Sequence, residues 1–358
     1  FNYFKGSTKI SVFVLGTNTP RSSFGWNDVS RFGLENESTG DPWNSNTNTN
    51  TGIPRTLKTG FYFADKFGKK NNTAVQVNYT YYNNELVTNS VNRTQFFLPD
   101  TTYYTSDSTS NINRTESHRV NVTVESKLDS LTKIRIKPTI SIDQARTDYY
   151  NFTEYESSNN EKSLATTINN GSNSRGNNIG VLANLERKFM KPKRLFQFDY
   201  FFNWIDNKTK NSLLTDTRVY ALNYNTLVDQ EKNNANDQLK HNFYAEYTEP
   251  LGNHFKLTMG YNFMIERMNL DKKTYDYDTL TGMYSMINMG LSNEFVTDRL
   301  EHKGGAKLTY EKGKHNAFFR MDVRNVDIEN FNRISNFNID QNITNVLPSA
   351  RYEFKPNM

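Results

Sequence analysis

The sequence predicts an all-β protein, an antiparallel transmembrane β-barrel, and three observations predict it. Apolar and polar residues alternate with a period of two over stretches of about ten residues, the pattern of a strand with one greasy and one wet face. Short polar turns recur roughly every 60 residues between such stretches. The composition is polar but rich in aromatics: of 358 residues 35% are apolar, yet 25 are Phe and 21 Tyr, and the mean hydropathy is -0.79. Disordered chains are poor in aromatics, and a helical membrane protein would need runs of 18 or more apolar residues, which do not occur. There are no cysteines, so disulfide scaffolds and thiolate metal sites are excluded. The net charge of +5 is spread along the chain, which is not the footprint of a nucleic-acid binder.

The elements follow in chain order. "FNYFKGSTKISVFV" turns at Gly6–Thr8. "TGFYFADKFGKKNNTAVQVNYTYY" turns at Gly68–Asn72 and places Val75, Val77, Tyr79 and Tyr81 on one face. "HRVNVTVESKLDSLT" alternates Val120, Val122 and Val124 with Arg119, Asn121, Thr123 and Glu125. After a turn at Leu128–Leu131 comes "KIRIKPTISI", with Ile134, Ile136, Ile140 and Ile142 on the apolar side and Lys133, Arg135, Lys137 and Thr139 opposite. Pro138 cannot donate to the ladder, so a bulge or an unpaired carbonyl is expected beside it. "NIGVLANLERKFMKPKRLFQFDYFFNW" turns at Lys191–Arg194 and leaves through Phe196, Phe198, Tyr200, Phe202 and Trp204. "HNFYAEYTEPLGNHFKLTMGYNF" turns at Pro250–Asn253, and "GGAKLTYEKGKHNAFFRMDV" at Lys312–Lys314, the latter with Phe319 and Met321 apolar and Arg320 and Asp322 polar.

Between these hairpins lie stretches rich in Asn, Ser, Thr and Asp, about 17–54, 83–114, 149–175, 206–237, 266–297 and 327–344. Read as loops, they make short turns alternate with long connections, as the periplasmic turns and extracellular loops of outer-membrane barrels do. The apolar stripes have the length of about 9–11 residues that a tilted strand needs to cross the hydrocarbon, longer than the usual sandwich strand of about 5–6. Val120, Val122, Val124, Ile134, Ile136, Ile140, Phe319 and Met321 are then expected to face lipid. Arg119, Asn121, Glu125, Lys133, Arg135, Thr139, Asp143, Arg146, Asp199, Arg320, Asp322 and Arg324 are expected to line the lumen. Twelve or thirteen strands are visible, all in one barrel domain over residues 1–358. Both ends of the chain read as strand, so residues 1–5 and 346–356 are expected not to pair with each other.

No motif carries catalysis. His118, His241, His254, His302 and His315 are scattered, and Gly-X-Ser-X-Gly is missing. The reading is therefore of a protein that is not an enzyme, with no metal or other cofactor. Gly304 and Gly305, taken as the start of a strand, read as a bend or bulge. The clusters "NYTYY", "TDYYNFTEY" and "DYFFNW" read as an interfacial aromatic girdle, with a sugar-stacking platform at Tyr149, Tyr150 and Tyr155 as the alternative.

The stretches "NYFKGSTKISVFVLGTN", "TGFYFADKFGKK" and "TQFFLPDTTYYTSDSTSNINRTESHRVNVTVESKLDSLTKIRIKPTISI" resemble the barrel of a family of Bacteroidota outer-membrane proteins related to TonB-dependent receptors. The resemblance is weaker after residue 160. It implies a 22-stranded barrel in the cell outer membrane, of which this chain is a segment, with plug and signal peptide outside it. It implies nutrient uptake driven by the TonB complex, contacted through the missing N-terminal region. The other function it implies is a scaffold barrel in a larger outer-membrane assembly for secretion, assembly or a surface lipoprotein. Outer-membrane lipids are expected partners, nucleic acid is not, and the transported substrate and any substrate-binding residues stay unknown.

Overall fold

A computed structural model describes residues 1–18, 52–68, 70–99, 102–159 and 161–355. These residues form one antiparallel sheet with no helix among them. Its strands are β1 (Asn2–Lys5), β2 (Thr8–Thr17), β3 (Ile53–Phe67), β4 (Thr73–Phe97), β5 (Thr102–Lys127), β6 (Thr132–Ser157) and β7 (Lys162–Lys188). They continue as β8 (Leu195–Val219), β9 (Tyr224–Leu251), β10 (Phe255–Asp278), β11 (Met283–Ile287), β12 (Asn293–Lys312), β13 (His315–Asn332) and β14 (Phe337–Phe354). Every strand pairs with its neighbours in sequence, except that β10 pairs with β12 and the short β11 folds back on the end of β10. Consecutive pairing throughout is what short connections enforce.

The hairpin turns fall where the sequence put them. Gly6 and Gly313, at φ 58° and 54°, take the first central position of two-residue turns, where a positive φ gives the chain the twist of the flanking strands. β1 and β14 each pair on one side only, so among the described residues the sheet is open, as expected of the two ends.

The expected long connections are corrected by the structure. Residues 19–51 lie outside the described ones, but 83–97, 102–114, 149–157, 162–175, 206–219, 224–237, 266–278, 293–297, 327–332 and 337–344 are strand. β4 to β9 each run 25 to 28 residues. They are joined at this end by the four-residue connections 98–101, 158–161 and 220–223. From β4 to β9 both ends of the sheet therefore carry short connections, and what distinguishes the ends there is how far the strands run on. The stretches looked like loops because both their faces are polar, which leaves no alternation to read. What holds them is cross-strand bonding between small polar side chains. Thr147 donates to Asn113 (2.8 Å), Asn151 to Thr109 (3.0 Å) and Thr153 to Asp107 (2.7 Å). Such pairs are the unit of sheet stabilisation.

One further expectation is narrowed and another is revised. Pro138 makes no bulge: the β5–β6 register is the same on either side of it, and the pairing merely lapses opposite Pro138 and Lys137, while β7 pairs normally. Gly304 and Gly305 lie inside β12, in unbroken register with Val323 and Asp322, so they mark neither a strand start nor a bulge. A Cβ on Gly305 would overlap the Asp322 carboxylate, so close approach of that side chain is what the glycine serves.

Candidate functional site

Register decides which side chains share a face. Val120 stands opposite Ile140 and Val124 opposite Ile136, while Ile134 lies beside Leu185. Val122 alternates with them, and Phe319 and Met321 stand opposite Leu308 and Ala306. These eight residues lie on one apolar face. Arg119, Asn121, Arg135 and Thr139 lie on the other, with Asn121 opposite Thr139 and Arg135 opposite Glu125, and so do Arg320 and Asp322. Arg146 is a correction. The β6–β7 register runs unbroken from Thr132 to Tyr155, so Arg146 keeps the even parity of Ile140 and falls on the apolar side.

The two faces are exposed the wrong way round for a protein in water. Phe319 is 51% exposed, Met321 46% and Ile140 41%, whereas Lys58, Asp322 and Glu301 on the polar face are 1%, 6% and 9% exposed. Among the described residues the sheet is a single layer, and on its polar, inner face the side chains cover one another, Arg299 and Arg324 lying on Glu301 and Lys303 and Arg320 on Asp322. A continuous exposed apolar surface of this extent marks an interaction surface.

That surface is a belt with edges. On β8 it runs from Phe196 to Trp204 and on β10 from Phe255 to Ile265, the length of about 9–11 residues that spans a hydrocarbon core. Beyond it, on the same face, each strand presents a charge: Arg55, Glu85, Glu116, Arg146, Arg175, Asp206, Asp237, Arg267, Asp298 and Asp327 on β3 to β10, β12 and β13. Several are linked. Glu85 meets Arg55 at 3.9 Å and Arg114 at 2.8 Å, and Asp148 joins Arg114 (3.0 Å) to Arg146 (3.2 Å).

Four of the five histidines belong to the belt, in a pattern that sequence reading missed, while His254 lies in the turn before β10. Tyr79 bonds His118 Nδ1 (2.9 Å), Tyr200 bonds His241 Nδ1 (3.0 Å) and Tyr261 bonds His302 Nδ1 (2.7 Å). In each case the histidine stands opposite the aromatic two residues further on, Tyr81, Phe202 or Phe263. His315 and Tyr352 (2.7 Å) repeat the arrangement beside Phe354. The signal was available: each pair uses a Tyr-X-Phe or Tyr-X-Tyr step, at 79–81, 200–202, 261–263 and 352–354. Trp204 is the last apolar residue on the belt face before Asp206 and fits the girdle reading. The 147–155 cluster does not. It begins past Arg146, with Tyr149 and Tyr155 on the polar face and Tyr150 on the other.

On the polar face a charge network crosses β9, β10, β12 and β13. Arg324 grips Glu301 with two bonds of 2.9 and 2.8 Å, Arg299 adds a third at 2.7 Å, and Arg299 also lies 3.7 Å from Glu266. Lys240 (3.9 Å) and Gln238 complete the set around Glu266. Beside it Arg320 bonds Asp322 at 2.7 Å and Lys303 lies 3.6 Å away. Gly260 and Gly305 pair between these groups, a lane without side chains into which Tyr244 and Asp322 lean. Most of its polar atoms are paired, with Arg299 Nε and Asp322 Oδ1 left buried without a hydrogen-bond partner, and the linked charges brace the four strands against one another. Among the described residues no three His, Asp or Glu side chains gather as a metal site.

At the short-turn end each hairpin is strapped to the next. Ser7 and Thr8 donate to Asp65 on β3 (2.6 and 2.8 Å), Asn72 to the Lys127 carbonyl (3.2 Å) and Arg187 on β7 to Asp129 (2.6 Å). Lys191 and Arg194 hold Glu249 on β9, at 2.6 and 2.7 Å. Asp129 also accepts backbone N–H bonds from Leu131 and Thr132, and these with Thr132 and Arg187 hold its carboxyl down at about 2.

The chain matches no known protein-family model and shows no significant similarity to a curated protein sequence.

Proposed function

We propose that the chain is the wall of an outer-membrane β-barrel of the TonB-dependent receptor type, with its apolar belt in the hydrocarbon and its polar face toward the lumen. The observation that carries this reading is the belt itself: apolar residues on the more exposed face, of membrane-crossing length, bounded on strand after strand by a charge. In lipid such a face is at home, and β2 to β10, β12 and β13 are each paired to strands on both sides, as hydrocarbon requires. The eight belt residues named above then face lipid, and the six on the inner face line the lumen. In a barrel of about 22 strands, the number implied by the resemblance, the two open edges would be paired, as hydrocarbon requires. The extended strand ends then project from the cell surface, and the short-turn end faces the periplasm. Uptake of a scarce nutrient through the TonB complex is the function this architecture serves in the family the sequence resembles.

Two experiments test it. Because the chain has no cysteine, single cysteines report sidedness cleanly. On intact cells an impermeant thiol reagent is expected to label a cysteine at position 158, exposed between β6 and β7, and to spare one at 130, exposed between β5 and β6; the opposite result inverts the topology. For the activity, cells lacking the protein are expected to lose protonophore-sensitive uptake of a nutrient from a defined panel. Normal uptake of every nutrient, with other outer-membrane proteins co-purifying in fixed ratio, supports the scaffold function instead.

A further inference from the structure

Two clefts lie side by side on the belt side of the sheet, just beyond the belt. Along β7 the order from the belt outward is Ile179, then Arg175, then Gly171. The first cleft, of about 390 Å³, is lined by Arg175, Lys208, Lys210 and Lys273, with Asp271 as its only carboxylate. Register brings them together: Arg175 stands opposite Lys208, and Asn233 links Lys210 to Lys273. Lys208, Lys210 and Lys273 have carboxylate neighbours at 3.4, 2.7 and 2.8 Å, but Arg175 makes no ion pair with a described residue. Asn173 and Ala235 keep the floor low between the cations.

The second cleft, of about 440 Å³, is the next one outward. It holds the rings of Tyr150 and Tyr284 with Asp229, Asn169 and Ser110. Tyr284 is carried in by β11 and donates to Asp229 at 2.7 Å. Gly171 forms part of the wall, and a Cβ there would come within 2.7 Å of the Ser212 hydroxyl, so any larger residue would narrow the cleft.

The sequence of surfaces, apolar belt, then cations, then aromatic faces with carboxylate and amide groups, is a chemical ladder. We propose that it binds one phosphorylated glycolipid from the leaflet on this side: acyl chains along the belt, a phosphate among Arg175, Lys208 and Lys273, and sugar rings against Tyr150 and Tyr284. Arginine suits a phosphate because its planar fork makes paired bonds and holds its charge. A plain phospholipid would fill the first cleft and leave the second idle. The site rests on the membrane reading above, since a lipid meets these clefts only if the belt is in the bilayer.

The test uses the protein inserted in phosphatidylcholine vesicles, with insertion followed by tryptophan fluorescence. The probes are lipopolysaccharide with the shortest carbohydrate chain, its dephosphorylated form, and phosphatidylglycerol. The intact glycolipid is expected to bind about tenfold tighter than the dephosphorylated one, or more. Arg175→Glu with Lys208→Glu removes that preference and its salt dependence. Tyr150→Ala with Tyr284→Ala weakens the glycolipid about fivefold or more, as loss of aromatic contact area does, and leaves phosphatidylglycerol unchanged. If wild type and both variants insert and bind the glycolipid equally, the site is wrong and the membrane reading stands. If the tyrosine pair has no effect while the cation pair does, the glycolipid assignment is wrong. If no form inserts, the membrane reading falls and the site with it.

Discussion

β6 contains two kinds of strand end to end. From Lys133 to Ile142 one face is isoleucine and the other Lys, Arg and Thr; from Gln144 to Ser157 both faces are polar. The first half relies on an environment that accepts Ile136 and Ile140 with about two-fifths of their surface bare. The second half relies on its own side chains, through the bonds of Thr147, Asn151 and Thr153 to β5. The same backbone ladder runs through both. The lesson is that strand pairing alone does not say where a strand lives; the cross-strand pairs on each face do.

The largest expected difference between the halves is in their tolerance of charge. Ile136→Arg is expected to cost about 2–4 kcal/mol of folding free energy in vesicles, as Arg does near the midplane. The same arginine at Gln144, in the second half of β6 and exposed between Glu116 and Arg175, should stay within about 0.5 kcal/mol; equal costs would erase the comparison. Next comes the inner wall. Glu301→Ala leaves Arg299 and Arg324 facing each other and should cost about 1.5–3 kcal/mol, the worth of hydrogen bonds to charged groups. Urea unfolding measures it, and a loss below that range would mean that the network does not brace β12 against β13. A smaller effect lies in the extension, where Thr153→Val removes one partly exposed bond to the Asp107 carboxylate and should cost about 1.5 kcal/mol, the low end of that range. The readout is faster amide exchange at the tip of β5 and β6 with the belt unchanged.

The smallest effect is at the turns. The Asp129 carboxyl is held at about 2, against its ordinary 3.8, first by the Leu131 N–H. A carboxyl with a lowered folded pKa stabilises fully above its unfolded value and loses that contribution as pH falls toward the folded one. Stability should therefore decline between about pH 4 and pH 2, and Asp129→Asn should flatten that limb. An unchanged acid limb in the variant would mean that the bonds Asp129 accepts from Leu131, Thr132 and Arg187 do not contribute.

Sequence reading recovered the belt because alternation is visible only where the two faces differ in chemistry. It placed the turns at 68–72, 128–131 and 191–194 because Gly, Asn, Asp and Pro interrupt that alternation there. It lost the extensions for the same reason: with Thr, Asn and Ser on both faces, 102–114 carries no period. Arg146 went to the wrong face with them, since parity is only useful where a strand is known to continue. The Tyr–His pairs and the Glu266–Arg299–Glu301–Arg324 chain were out of reach, because they need the register between strands, which no single strand encodes.

The central claim, that the belt meets lipid and the inner face meets water, is tested most directly by a nitroxide scan of single cysteines along β6 from 133 to 157 in bilayers. Accessibility to oxygen is predicted to peak at 134, 136, 140 and 142 and to fall at 133, 135, 137 and 139, with the aqueous nickel reagent showing the reverse. From 146 onward both reagents should report water on both faces. Equal aqueous accessibility at 135 and 136, or an alternation continuing unchanged through 157, would contradict it.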